Sequence, residues 1–323
     1  MREKNILITG ITGQDGIFLT HNLIHSTDHK IFGTSRKGEE YFLQKYRKIF
    51  NNEFDQNRIC ILTKNLNNYA DVKDTIDNSN PSTVYNLSGP SSVYESLKHP
   101  QSIQEITSPA LNIIKYLDEQ QFQSHFIQAS SSEMFGSNPI EIYDENSLMI
   151  PNTPYAKAKL EIHNEINNLR NLSNNSFTSA IMFNHESEIR NQNFLFMKII
   201  NTVIKIKRKE EKVLTVGSLE YVRDWSYAGD IIEALVKIDE NELNDNFVIG
   251  SGTGTKIKDL INLTFNFFDL DWQKFVEVDS SILRDGDPIK KISNPAKIKK
   301  LTGWEPNLSV EEVIKKIIDF KLI

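Results

Sequence analysis

Two rhythms of apolar and polar positions alternate along the first half of the chain. Short runs at Asn5–Thr9, Lys30–Ser35, Arg58–Thr63, Thr83–Leu87, His125–Ser130 and Phe177–Phe183 are apolar and β-branched, as expected of strands covered on both faces. Between them, stretches 15–26, 69–78, 101–119 and 154–173 read as helices. That alternation predicts βαβ units and a parallel sheet. After about residue 184 the rhythm loosens. Residues 194–209 read as a helix and Asn246–Gly250 as a strand. Ser309-Val310-Glu311-Glu312 has the form of a capping box, in which Ser309 and Glu312 satisfy each other's free amides. Val310, Val313, Ile314 and Ile317 then follow at helical spacing. The expected fold is α/β: a Rossmann-type doubly wound parallel sheet with a smaller, discontinuous C-terminal domain. Residues 1–183 would form the first domain, with roughly 215–250 returning to it, and 184–323 would mainly form the second. In open α/β sheets ligands bind at the carboxyl ends of the strands.

Composition narrows the function. A chain of 323 residues, 39% hydrophobic and 25% charged, can bury a full core. Its net charge of −6 argues against a general polyanion binder, so no nucleic-acid partner is expected and any phosphate must be gripped by local cations. The single cysteine, Cys60, permits no intrachain disulfide, which suits a reducing cytoplasm. No apolar leader opens the chain and no stretch approaches the ~18 to 20 apolar residues that span a bilayer, so no membrane partner is expected either.

The strongest local motif is Thr9-Gly10-Ile11-Thr12-Gly13-Gln14-Asp15-Gly16, a Gly-x-x-Gly-x-x-Gly loop between the first strand and the first helix. Gly10 suits the tight turn, Gly13 the close approach of a pyrophosphate, and Gly16 the packing of helix on strand. The helix N-terminus offers amides and a positive dipole to the phosphates. The second strand ends Gly33-Thr34-Ser35-Arg36-Lys37, with a hydroxyl and two cations where an NAD site places an acid for the ribose. That favours the 2′-phosphate of NADP over NAD. The competing reading makes Arg36 and Lys37 the start of a solvated loop.

Two further segments carry chemistry. Gln128-Ala129-Ser130-Ser131-Ser132-Glu133 is a strand opening into a polar loop, and Pro154-Tyr155-Ala156-Lys157-Ala158-Lys159 places Tyr155 and Lys159 one helical turn apart. The ammonium is expected to lower the phenol's pKa toward working range, making Tyr155 a general base for a sugar hydroxyl, with a strand-end serine bonded to the same oxygen. Tyr-x-x-x-Lys alone occurs by chance. Its order after a glycine loop and a serine-bearing strand end is what makes it specific.

These residues resemble the extended short-chain dehydrogenase/reductases, most closely the GDP-mannose 4,6-dehydratases, over nearly the whole chain. Tyr85-Asn86-Leu87, Phe183-Asn184-His185-Glu186-Ser187, Arg223-Asp224-Trp225 and Gly303-Trp304-Glu305-Pro306 add to the likeness. The resemblance implies an NADP-binding first domain and a mainly nucleotide-sugar-binding second one. It implies Ser131, Glu133, Tyr155 and Lys159 as catalytic. It assigns Gly10, Gly13, Gln14, Asp15, Gly16, Arg36, Asn65, Leu66 and Leu87, with Tyr155 and Lys159, to the cofactor. Ser88, Ser91, Asn184, Lys198, Arg223 and Arg284 fall to a GDP-linked sugar. The implied reaction oxidises C4, removes water across C5 and C6 and reduces C6, with Glu133 serving as both base and acid. Such a carboxyl is expected to have a pKa nearer neutrality than an exposed Glu. Relatives are commonly dimers or tetramers, so a homo-oligomer in surface-polysaccharide synthesis is implied too.

The chain departs from the family pattern at Glu188-Ile189-Arg190, Phe196-Met197-Lys198, Asp285-Gly286-Asp287 and Asn65. These changes leave GDP-N-acetylglucosamine and GDP-mannoheptose open as substrates. Other readings are a C4 epimerase or 4-keto reductase, a UDP-glucuronate decarboxylase, and a catalytically dead NADP-binding regulator. His21, His25 and His29 lack a cysteine pair or carboxylate shell, His185 reads as part of a turn, and no metal is expected.

Overall fold

A computed structural model describes residues 4–50, 56–99, 103–120 and 122–322. The first half runs β1 (Asn5–Thr9), α1 (Gln14–Ser26), β2 (Lys30–Thr34), α2 (Gly38–Ile49), β3 (Ile59–Leu62), α3 (Tyr69–Ser79) and β4 (Thr83–Asn86). Then come α4 (Val93–Lys98), α5 (Gln104–Glu119), β5 (His125–Ser131), β6 (Ile142–Tyr143), α6 (Pro154–Leu169), β7 (Ser176–Met182) and β8 (Asn184–Glu186). The rest is α7 (Leu195–Lys207), β9 (Leu214–Val216), β10 (Val222–Tyr227), α8 (Ala228–Glu240), β11 (Asn246–Ile249) and β12 (Gly254–Lys256). α9 (Ile257–Asn266), β13 (Val276–Val278), β14 (Lys290–Ser293), α10 (Ala296–Thr302) and α11 (Val310–Leu322) close the chain.

Seven parallel strands form one sheet in the order β11-β7-β5-β4-β1-β2-β3. This is the Rossmann-type α/β fold. The order reverses between β1 and β4, and the crevice there opens at their carboxyl ends, where Gly10 and Leu87 follow. One face is covered by α1, α2 and α8 around Ile8, Phe18 and Leu235, the other by α3, α5 and α6 around Leu7, Ile113 and Ile162. A second core of α7, α9 and α11 encloses Phe196, Leu260 and Ile317. A small sheet, β12-β10-β14-β6 with β8 on β10, lies between the second core's elements and the end of β5.

Each of the seven predicted strands forms, with ends within one residue of expectation. The helix expected at 154–173 stops at Leu169, because a run of Asn and Ser follows, and Leu172, which is in helical phase, is 82% exposed. Residues 101 and 102 of the helix expected at 101–119 lie outside the described residues. β11 and α8 pack with the large sheet, and so do Ile298 of α10 and Trp304, whose Nε1 donates to the Asp230 carbonyl at 2.9 Å. The capping box closes as written: Ser309 N donates to Glu312 Oε2 at 2.8 Å and Glu312 N to Ser309 Oγ at 3.3 Å.

Candidate active site

The glycine loop sits at the crevice floor. Gly10 has φ +67°, and a Cβ there would come within 2.9 Å of the Ser88 Cα; a Cβ at Gly16 would come within 2.6 Å of the Ile11 Cα. No side chain caps the N-terminus of α1. A cleft of about 310 Å³ starts here, with Gly10, Gly13 and Leu87 on one side. Arg36, Asn65 and Leu66 line its outer part. Arg36 Nη1 lies 3.6 Å from Glu105 Oε2, both largely exposed. Gln14 and Gly16, expected at the cofactor, are not among the residues that line this cleft. Gln14 Nε2 donates to Asp15 Oδ1 and to the His185 carbonyl, while its Oε1 accepts from Ser187 Oγ at 2.7 Å. This shape, with its cation and free helix end, fits a nicotinamide dinucleotide laid from β2 toward β5.

The cleft runs through Leu87 and Ser88 into a larger cavity of about 430 Å³. Ser131, Glu133, Tyr155 and Lys159 all line it. So do Asp15, Ser88, Ser91, Asn184, Arg223 and Arg284. Lys198 does not join them: it is exposed on α7 and its Nζ donates to the Thr215 carbonyl at 2.8 Å. Its neighbours Phe196 and Leu195 supply apolar wall instead.

Local structure aims the groups expected to be catalytic. Ser131 ends β5, and its Oγ accepts from Glu133 N at 3.2 Å, starting the short turn that carries Glu133. The turn ends at Gly136, φ +53°, where a Cβ would collide with the Ile150 carbonyl. Thr153 caps α6 through Ala156 N at 3.2 Å with Pro154 in the first turn, which fixes Tyr155 at the helix mouth. The Ser131 hydroxyl lies close enough to the Tyr155 phenol to favour its ionised form.

Electrostatics differ from the sequence expectation at two groups. Burial pushes the Tyr155 hydroxyl up to about 12, and the nearby Ser131 hydroxyl offsets only part of the rise. Lys159 does not hold it down, because its Nζ donates to the Ala129 carbonyl at 2.7 Å and stands 5.9 Å from the ring centre. Burial in turn lowers Lys159 to about 8. Glu133 is not near neutrality. Burial raises it, but Lys291 and Arg284 outweigh burial and bring the carboxyl to about 2. Lys291 Nζ donates to Oε1 at 2.9 Å and Arg284 Nη1 to Oε2 at 3.2 Å. Asp287 Oδ2 then bridges Arg284 Nη2 at 3.0 Å and Arg223 Nη2 at 2.9 Å.

Several groups here were not singled out from sequence. Lys291 and Asp287 are two. Asp15 is a third in its pairing: burial opposes its ionisation, but His185 Nε2 at 3.1 Å and Gln14 hold it below the usual carboxylate range. Arg190 and Glu186 also line the cavity, with Arg190 3.7 Å above the Phe194 ring. A buried polar chain was equally unread. Thr9 Oγ1 donates to Asn86 Oδ1, Asn86 Nδ2 to Gln128 Oε1, and Gln128 Nε2 to the same Ala129 carbonyl that holds Lys159. A signal for Lys291 did exist: in Ile289-Lys290-Lys291-Ile292-Ser293, strand alternation must turn one lysine inward.

A family model described as GDP-mannose 4,6 dehydratase matches residues 7–317. The chain belongs to that family. Among relatives of this family of nucleotide-sugar dehydratases, GDP-mannose 4,6 dehydratase 2 of Arabidopsis thaliana is 30% identical over 328 residues, covering 98% of this chain and 86% of its own length. The GDP-mannose 4,6-dehydratase of Vibrio cholerae is 26% identical, covering 98% and 93%. The family's fold is shared by solved structures at low identity. UDP-N-acetylglucosamine 4-epimerase from Methanobrevibacter ruminantium M1 superposes with TM-score 0.85 at 19% identity, covering 100% of this chain and 99% of its own. dTDP-glucose 4,6-dehydratase from Bacillus anthracis str. Ames gives 0.83 at 16%, covering 99% and 96%. Among the described residues no helix is long and apolar enough to cross a membrane, and no group of three His, Cys, Asp or Glu is placed to hold a metal ion.

Proposed function

We propose that this protein is an NADP-dependent 4,6-dehydratase of a GDP-linked hexose of the GDP-mannose type, working in the cytoplasm. The observation that carries the reading is that Glu133 and Tyr155, from separate segments, line one cavity beside the mouth of the glycine-loop cleft. An epimerase or reductase needs the phenol but has no use for a second acid–base group there.

When bound, the nicotinamide supplies hydride removal and return. The chain's own groups supply the proton chemistry. Tyr155, with the Ser131 hydroxyl beside it, takes the proton of the C4 hydroxyl as that carbon becomes a ketone. Lys159 places a positive charge 5.9 Å from the ring centre and fixes the helix mouth through Ala129. A C4 ketone acidifies the neighbouring C5 hydrogen, which the ionised Glu133 accepts. Glu133 then carries that proton in a setting that strongly favours its loss, and gives it to the departing C6 hydroxyl as water. One carboxyl completes the elimination with no net change in its own protonation, and the proton that Tyr155 took from the C4 hydroxyl balances the one C5 must receive as hydride returns to C6. Arg223 and Arg284 supply charge for a sugar diphosphate, and Asn184 lines the same cavity. Arg36, with no acid at the end of β2, supports NADP.

The test is to incubate the protein with GDP-mannose and NADP and record product mass and alkaline absorbance. Loss of one water with a 4-keto chromophore is expected. Conserved mass would make it an epimerase, and loss of carbon dioxide from a uronate substrate a decarboxylase; either overturns the proposal.

A further inference from the structure

The two cations on Glu133 are not equivalent. Arg284 lines the cavity, with its side chain 32% exposed, and divides its donors between Glu133 and Asp287. Lys291 stands behind Glu133, off the cavity wall, with its side chain 3% exposed. A lysine so deeply buried keeps its charge only against a well-placed counterion. Here that counterion is the carboxyl assigned to the dehydration step.

The surrounding fold fixes Lys291. β14 pairs with β10 in parallel, which puts Lys291 on the same rung as Arg223. Two cations side by side repel unless each has its own anion. Arg223 takes Asp287 and Lys291 takes Glu133. Two residues further along the strand, Ser293 N and Oγ both donate to the buried Asp224 Oδ2, which locks the register of β14 against β10. The neighbouring Lys290 points the other way, onto Glu141 at the surface. The small sheet thus delivers one immobile ammonium to Oε1, and Oε2 is the oxygen that meets Arg284, itself a cavity-lining residue.

We propose that Lys291 is the positioning residue of the dehydration step: it holds Glu133 Oε1 so that Oε2 alone meets the C5 hydrogen and the C6 hydroxyl. The inference rests on the dehydratase reading of Glu133. It divides the labour of one carboxyl between an anchored and a working oxygen.

The test compares wild type with Lys291→Met, Lys291→Arg and Lys291→Gln, using GDP-mannose, NADP and full-length protein. Wild type is assayed first; absence of water loss there sinks the dehydratase reading and leaves no step for Lys291 to serve. Given an active wild type, Lys291→Met should lower kcat on the order of 100-fold, with KM within about threefold because the residue touches no substrate. Incorporation of solvent deuterium at C5 should fall with kcat. The groups facing Glu133 are Lys291 from β14, Arg284 with Asp287 from the loop after β13, Arg223 from β10 and Tyr155 from α6. Removing the first cation makes the carboxyl hold its proton more tightly, so the acid limb of kcat should move to higher pH. Lys291→Arg should restore most of the rate and return the limb. If Lys291→Met does not fold, Lys291→Gln, which keeps a donor without the charge, carries the same predictions. An unmoved acid limb with unchanged kcat, or equal losses in the Met and Arg variants explained by lower thermal stability, would overturn the proposal.

Discussion

The two ends of the continuous cleft are built on opposite plans. The cofactor end is almost a sequence motif made solid: residues 9–16 supply turn, floor and helix end within one βα unit, and β2 adds Arg36 from the next strand over. The carboxylate end is assembled from distant pieces. Glu133 follows β5, Tyr155 opens α6, Arg223 lies on β10, Arg284 and Asp287 on a loop near the end, and Lys291 on β14. At the first end, in the proposed reading, recognition rests on a local backbone shape. At the second, the charge state of Glu133 is set by three cations, Lys291, Arg284 and Arg223, from separate parts of the chain. The lesson is that phosphate recognition can be encoded by adjacency, whereas tuning one carboxyl requires tertiary structure.

The sharpest way to break that comparison is at the assembled end. Glu133→Gln keeps shape and removes the proton carrier, so water loss should drop by roughly 10³-fold while cofactor binding, measured by titration, stays within about twofold. Tyr155→Phe should lower turnover by a similar factor, but before C4 oxidation, so no reduced nicotinamide should be seen at 340 nm after mixing with substrate. With Glu133→Gln that transient should persist and build up. If both variants block at the same point, the carboxyl and the phenol do not serve separate steps, and the division between oxidation and dehydration fails.

That contrast also explains what was legible beforehand. The strands, the glycine loop and the Tyr155–Lys159 pair could be read because each depends on neighbours in the chain: period-2 burial, tight turns, or one helical turn. α2 went unread because its GEEYFLQKYRKI buries only Phe42 and Tyr46 within a highly charged helix. The expectation of a near-neutral Glu133 followed correctly from burial, the largest effect on it, but Lys291 comes from 158 residues away and reverses the outcome. Tyr155 failed in the mirror sense. Helical spacing places Lys159 on the right face, yet the side chain turns to a carbonyl that only the folded β5 presents. Spacing can put two groups near each other; it does not say which partner each one takes.

At the motif end, Gly10→Ala puts a Cβ on a residue at φ +67°, 2.9 Å from backbone that cannot give way. The strain should cost about 1 to 3 kcal/mol and lower the melting temperature. Cofactor affinity should fall as well, because the loop can relieve the clash only by moving away from Ser88. Gly33→Ala is the matched control. Its Cβ would meet the side chain of Ile11, not backbone, so stability should fall with a smaller change in cofactor binding. Equal losses of binding in the two would mean that the loop acts through stability alone and not through its shape.

The smallest expected effect tests the one part of the cofactor end that is electrostatic. Arg36 and Glu105 face each other at 3.6 Å with side chains 69% and 45% exposed. Such a solvated pair is worth little, so Arg36 is free to leave Glu105 for a 2′-phosphate, where charge-assisted bonds are stronger. Arg36→Ala should then weaken NADP by about tenfold and leave NAD nearly unchanged, as measured by fluorescence or calorimetric titration. Glu105→Gln should act in the opposite direction, tightening NADP severalfold by removing a nearby negative charge. Were Arg36→Ala to weaken both cofactors equally, Arg36 would be shaping the cleft without reading the phosphate. Glu105 would then be the better candidate for a ribose-hydroxyl acceptor, the preference would turn to NAD, and a charge from the start of α5 would decide a choice that the end of β2 had been taken to make.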